Sequence, residues 1–305
     1  MTKMTRDPNE SSLDASSASA GEVVNALSFD IEDWFHLVEI DAVSDPEQWS
    51  SFPSIVEHRT EEILEICDQH QAKATFYFLG WIAERYPALV RRVVEAGHEI
   101  GTHSYWHRKV CDLDEATFRE DLLRSIKVIE DAGGAKVTSF RAPSFSITPG
   151  TEWAFDVLLD AGLRYDASLF PVARENGGYP CAEAPHLFTA APSGRGMPEL
   201  PMSLMRVGPK RVGFSGGGYL RLFPAWLIHR GFNALNRRGI PGVVYLHPRD
   251  FAPDCPVVEM AASRRFKCYV GLSSTAAKLH SILSRYRFAS CGTVMSRSFP
   301  DLEIA

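Results

Sequence analysis

Short apolar runs alternate with amphipathic stretches about seven times along this chain, and that rhythm limits its fold more than any other feature. The runs are Glu22–Asp30, Ala74–Gly80, His98–Ser104, Val137–Pro143, Leu163–Pro171, Glu199–Ser203 and Pro241–Pro248. Between them, helical spacing marks Ser54–Gln71, Trp81–Gly97, Asp112–Gly134, Thr151–Gly162, Gly218–Gly239 and Leu272–Phe288. Ser54 reads as an N-cap, and Asp112 with Glu115 as a capping box. Pro87 restarts a helix and Gly97 closes it. Strand–helix alternation without linkers predicts an α/β fold, a distorted (β/α) barrel of about seven parallel strands in a single domain. Runs such as VVYL, apolar throughout, suit a parallel sheet covered on both faces. Phe288–Ser296 is expected to add an eighth strand or its remnant. The Gly/Pro-rich stretch Pro171–Pro198 reads as a lid or substrate loop.

Composition removes several function classes. A net charge of −6 with no basic stripe excludes a nucleic-acid footprint. The six cysteines contain no CxxC pair, which argues against a disulfide framework and against a thiolate zinc site. No run of 18 apolar residues exists, so no transmembrane helix is expected. Residues 1–21 are polar and Ser-rich without an apolar leader core. They read as a disordered tail on a protein expected in the cytoplasm or near the inner membrane. The oligomeric state is not legible.

The unusual polar residues sort to one place. Asp30, Glu32 and Asp33 follow the first strand, and His103 and His107 the third. Arg141 ends the fourth strand, Asp166 the fifth and His247 the seventh, while Glu199 lies at the sixth. These are C-terminal strand ends, where β/α barrels build active sites. The stretch HEIGTHSYWHRKV holds three of the ten histidines. If it turns helically, His103 and His107 face one way. Two imidazoles and one carboxylate leave positions open on a divalent cation, a catalytic rather than structural arrangement. HExxH is absent. FSGGGYLR, Phe214–Arg221, lacks the phosphate-loop lysine and reads as a flexible loop beside a saccharide. Trp34, Phe35, Tyr105 and Trp106 suit sugar stacking and core packing equally.

Taken in order, SFDIEDWF, GHEIGTHSYWH, FRAPSFS and VVYLHP resemble the polysaccharide deacetylases of the NodB-homology group, over about residues 22–295. The first motif, in its DxED form, is similar to the branch tied to bacterial exopolysaccharide synthesis. That branch carries a C-terminal extension, here about residues 255–305 of a barrel spanning 22–305. The resemblance implies hydrolytic removal of N-acetyl groups from an exopolysaccharide or its precursor, with release of acetate. It implies a divalent metal, zinc foremost, on His103, His107 and Glu32, with Asp33 as the competing ligand. Asp30 would be the base, His247 the acid and Arg141 the residue that orients the base. Pro143, Tyr165, Trp34 and Trp106 would meet the substrate, and a backbone N–H near Ser168 or Tyr165 would meet the oxyanion. Two other functions stay open: an amidohydrolase on a small cyclic amide or ureide, and a carbohydrate-binding relative without catalysis.

Overall fold

A computed structural model of the chain describes residues 23–37, 40, 42–174 and 177–301. The expected tail at 1–21 lies outside them. The strands are β1 (Val24–Ile31), β2 (Thr75–Phe78), β3 (Glu99–Thr102), β4 (Ser139–Phe140), β5 (Tyr165–Asp166), β6 (His186–Phe188), β7 (Met197–Glu199), β8 (Leu204–Val207), β9 (Lys210–Gly213), β10 (Val243–Leu246) and β11 (Arg287–Ala289). The α-helices are α1 (Val56–Gln69), α2 (Gly80–Arg85), α3 (Pro87–Glu95), α4 (Glu115–Gly133), α5 (Trp153–Asp160), α6 (Gly217–Leu222), α7 (Ala225–Asn236), α8 (Ala262–Tyr269), α9 (Thr275–Leu283) and α10 (Cys291–Ser298).

Seven strands run parallel in unbroken succession, β10-β1-β2-β3-β4-β5-β7, and β6 closes that edge antiparallel to β7. β11 joins β1 in parallel as well. This is the distorted barrel that the alternation predicts. Every residue of β2 and β10 is buried. Helices and loops therefore cover both faces, as their all-apolar TFYF and VVYL sequences require. Pro87 does open α3, and Gly97, at φ 76°, does end it, its N–H donating to Val94 O.

Three local expectations fail. At the start of α1 the Ser54 hydroxyl only shares the capping. The Asp33 carboxylate accepts from Ile55 N–H at 3.1 Å and from Val56 N–H at 3.3 Å, and Ser54 Oγ–H donates to it. An anion satisfies exposed helical N–H groups better than a hydroxyl does. On α4 the cap is Asp114, which accepts from Thr117 N–H; Asp112 belongs to a preceding 3₁₀ turn. Phe288–Ser296 holds the expected remnant of a strand: β11 ends at Ala289, and the Ser290 hydroxyl caps α10 directly after it. Pro171–Pro198 is tied down rather than open. Tyr179 N–H donates to Phe170 O, Gly178 N–H donates to Phe145 O, and β6 pairs with β7.

The C-terminal ends of the parallel strands gather the polar residues as expected. Asp30 is the next-to-last residue of β1. His103, Arg141 and His247 each follow directly on β3, β4 and β10.

Candidate active site

Glu32, His103 and His107 converge. One carboxylate oxygen and one ring nitrogen from each imidazole lie within 4.8 Å of one another, a group that could hold a metal ion. His103 Nδ1 is 2.7 Å from Arg141 O. A carbonyl only accepts, so Nδ1 carries the proton and the Nε2 lone pair stays available for ligation. Burial, with His107 adding to it, draws the His103 pKa down to about 4 against the pull of Asp30 and Glu32, so its ring is neutral at pH 7. Glu32 is buried, which opposes its charge. His107, His247 and His103 outweigh that and hold it well below the ordinary carboxylate range. Its Oε2 lies 2.6 Å from His107 Nε2. A charged carboxylate and imidazoles with free lone pairs are the donor set a divalent cation requires.

The histidines do not meet on a helix. Ser104 and His107 take positive φ, 67° and 55°, and the loop folds back on itself, with His107 N–H donating to Ser104 Oγ at 3.1 Å. Such backbone costs roughly 1–3 kcal/mol per residue and persists only where neighbours enforce it. Asp121 on α4 does so, accepting from Tyr105 N–H at 2.6 Å and from Trp106 N–H at 3.3 Å.

Glu32 reaches the histidines and Asp33 does not. Glu32 lies just beyond β1 in a tight turn, its N–H donating to Asp30 O, and its carboxylate meets the histidines while that of Asp33 turns to α1. Asp33 is spent on the N–H groups that open α1, as described above.

Beside this group, Arg141 Nη1 donates to Asp30 Oδ1 at 2.7 Å and to Ser28 Oγ at 2.9 Å. Arg141 Nε donates to Ala167 O, and the guanidinium lies over the Tyr77 ring. Both charged partners are buried. Burial works against the Arg141 charge, but Asp30 more than restores it. The other Asp30 oxygen, Oδ2, faces His247, whose Nε2 lies 3.8 Å from it and 3.9 Å from Glu32 Oε1. His247 Nδ1 sits 2.8 Å from Asp250 Oδ2. Burial opposes a charged His247. Asp250, Glu32 and Asp30 overcome this and push its pKa up to about 9. Arg221 Nε lies 2.9 Å from the second Asp250 oxygen, and Arg221 is itself held by the carbonyls of Lys267, Cys268 and Val270 at the end of α8. A cavity of about 150 Å³ opens between Glu32, His36, His107, Ser144, Gly217 and His247.

Gly217 and Gly218 line the cavity on the His247 side, and Gly216 precedes them against β10. A Cβ on Gly216 would stand 2.1 Å from the Tyr245 ring, and Gly217 has φ 46°. The glycine run thus lets backbone lie against strand β10, where flexibility was expected.

Several expected members lie elsewhere. Tyr165 is fully buried, and its hydroxyl donates to Glu99 Oε1 at the opposite end of the strands. Trp34 packs against Phe35 and Phe52 while its indole N–H donates to Pro53 O, so it is core. Neither backbone N–H proposed for the oxyanion is free: Ser168 N–H donates to Asp166 Oδ2 and Tyr165 N–H to Thr138 O. Trp106 is half-buried, 6.2 Å from Trp49 by ring centroids. Pro143 is buried and opens the turn that carries Ser144 to the cavity. Asp166 and Glu199 are buried neighbours, and burial with the adjacent Asp166 keeps the Glu199 acid well above its usual range. They brace the Ser168 hydroxyl and the Leu169 backbone N–H rather than line the cavity. Asp250, His36 and Arg221 escaped the sequence reading. Asp250 had a signal, since HPRD puts a carboxylate three residues beyond His247 at a turn.

Residues 42–165 match the family model described as polysaccharide deacetylase, and residues 167–296 match a domain of unknown function (DUF3473). The chain is 33% identical over 84 residues to a peptidoglycan-N-acetylglucosamine deacetylase of Bacillus cereus, covering 28% of this chain and 30% of that protein. It is 30% identical over 73 residues to a chitooligosaccharide deacetylase of a Bradyrhizobium species, covering 24% and 33%. The matched region therefore spans about a third of the length of these relatives. Among solved structures, a Mycobacterium smegmatis protein assigned to the polysaccharide deacetylases superposes with a TM-score of 0.61 at 21% identity, covering 91% of this chain and 90% of that one. That likeness concerns the fold.

Proposed function

For a chain that belongs, over residues 42–165, to the polysaccharide deacetylases, we propose metal-dependent hydrolysis of N-acetyl groups on a saccharide, releasing acetate and a free amino sugar. The observation that carries this reading is the meeting of three groups beside one cavity: the Glu32–His103–His107 set, the Asp30–Arg141 pair and the His247–Asp250 pair.

A divalent cation, with zinc the first choice for this donor set, would be held by Glu32, His103 and His107 and would supply Lewis acidity toward the acyl oxygen and toward water. Asp30 is the base. Arg141 occupies its Oδ1, leaving Oδ2 to take the proton of the attacking water. His247 is the acid. At about pKa 9 it is protonated at neutral pH, and its Nε2 faces the cavity while Asp250 fixes Nδ1. It delivers its proton to the departing nitrogen, which would otherwise leave as an unstable amide anion. Trp106 and the Pro143 turn are the parts of the expected saccharide groove that the geometry still supports.

The substrate is proposed to be an exopolysaccharide or its nucleotide-linked or lipid-linked precursor. Among the described residues no helix is long and apolar enough to cross a membrane. Elemental analysis of the purified protein, followed by acetate release from N-acetylated oligosaccharides, tests the reading. His103→Ala should lose both metal and acetate release. Ammonia or urea products from cyclic amides would replace it with the amidohydrolase reading. Saccharide binding with neither metal nor turnover would replace it with a binding protein.

A further inference from the structure

His36 stands four residues beyond Glu32, buried to 2% exposure, and lines the cavity. Its ring is clamped edge-on by Trp49 and Trp81, at 4.3 and 5.2 Å between centroids. Its two nitrogens differ. Asp33 N–H donates to Nδ1 at 2.8 Å. A nitrogen that accepts from an amide N–H holds no proton, so in the neutral ring the proton sits on Nε2. Nε2 is buried and has no hydrogen-bond partner among the described residues. A protonated ring nitrogen cannot ligate a cation, so His36 is no fourth ligand, although its ring centroid lies 6.3 Å from that of His107. What remains is a fixed, desolvated N–H donor on a residue that lines the cavity. Such a donor left without an acceptor costs about the desolvation of the group, so an acceptor arriving with the substrate would be favoured.

We propose that His36 is a substrate-binding residue: its Nε2–H donates to an oxygen of the bound saccharide and fixes the sugar against the reactive centre. This deepens the deacetylase reading and rests on it. It also gives the whole DIEDWFH stretch a division of labour. Asp30 and Glu32 face the chemistry, Asp33 caps α1 with its carboxylate and sets the His36 tautomer with its N–H, and His36 meets the sugar.

The test uses the zinc-loaded full chain and an N-acetylated chitooligosaccharide as probe. His36→Phe keeps an aromatic ring without the donor, and His36→Gln keeps a donor. The expected result is a KM raised about tenfold in His36→Phe with kcat within about threefold, zinc content unchanged, and KM largely recovered in His36→Gln. Separately, ¹⁵N-histidine NMR of the Asp30→Asn protein, which consumes the probe far more slowly, should show the Nε2–H tautomer at His36 and a shift of that resonance when the probe binds. Loss of zinc in His36→Phe, a fall in kcat at constant KM, or a protonated Nδ1 would overturn the proposal. Probe binding that shifts the His36 resonance in a wild type that releases no acetate would leave the proposal standing and remove the deacetylase reading. Turnover with unchanged KM in His36→Phe would do the reverse. No binding and no turnover would end both.

Discussion

Nδ1 of His247 lies 2.8 Å from Oδ2 of Asp250, a contact that both charges the imidazole and aims it. The His247 pKa of about 9 lies above its ordinary value, so the acid form is present below pH 9 and lost above it. The rate should therefore fall on the alkaline side near that value. Asp250→Asn removes the main raising partner, so the alkaline limb should move to lower pH, and kcat at pH 8 should drop by about 10²-fold, within the range typical of lost acid catalysis. A pH–rate profile of both proteins checks this; an unmoved limb would exclude His247 as the titrating acid. Stability follows the same sign. The His247–Asp250 contribution is complete below the unfolded histidine value and disappears as pH rises through about 9.

Asp30→Asn should keep the metal, since Asp30 is not among the converging ligands. Its kcat should fall by roughly 10²–10⁴-fold, the usual worth of a general base. Metal analysis alongside steady-state kinetics reads both. Loss of metal in this variant would assign Asp30 to the ligand set.

Glu32→Gln and Asp33→Asn should part company. The first weakens the ligand set, so metal should be lost to a chelator at far lower concentration. The second leaves metal binding intact and weakens the cap of α1, lowering stability by about 1 kcal/mol. Metal titration and urea unfolding separate them, and the opposite pattern would return Asp33 to the ligand position.

Arg141→Ala leaves the Asp30 carboxylate buried without its partner. The expected cost is roughly 3–5 kcal/mol, visible as a lower urea midpoint. The pair Asp30→Asn with Arg141→Ala should cost less than the sum of the two single changes, because it removes the stranded charge.

Gly216→Ala puts a methyl group into the Tyr245 ring. Overpacking of this kind costs about 1–3 kcal/mol. Because the next residue, Gly217, lies so near the acid that a Cβ on it would stand 3.6 Å from His247 Cε1, kcat should fall as well. Thermal unfolding and kinetics on one preparation test it.

Much of this was legible in the chain. Alternation of apolar runs and amphipathic stretches follows from local periodicity, so the parallel barrel and the polar strand ends could be read directly. Asp30, Arg141 and His247 each mark a strand end and meet in space, Arg141 on one oxygen of Asp30 and His247 facing the other. The sequence could also say that an acid was needed beside His103 and His107. It could not choose between Glu32 and Asp33, because both lie within reach and only the direction in which β1 ends separates them. Nor could it tell that Tyr165 and Trp34 are core, since an aromatic ring suits a sugar and an interior equally well. The convergence of the two histidines depends on left-handed backbone that Asp121 enforces from α4. The tautomer of His36 depends on a backbone N–H three residues earlier. Local pattern determined which residues the chain brings to one rim, because side-chain period is a property of the strand itself. Tertiary packing decided which of them face inward to do chemistry and which are consumed in holding the frame, because that depends on partners far apart along the chain.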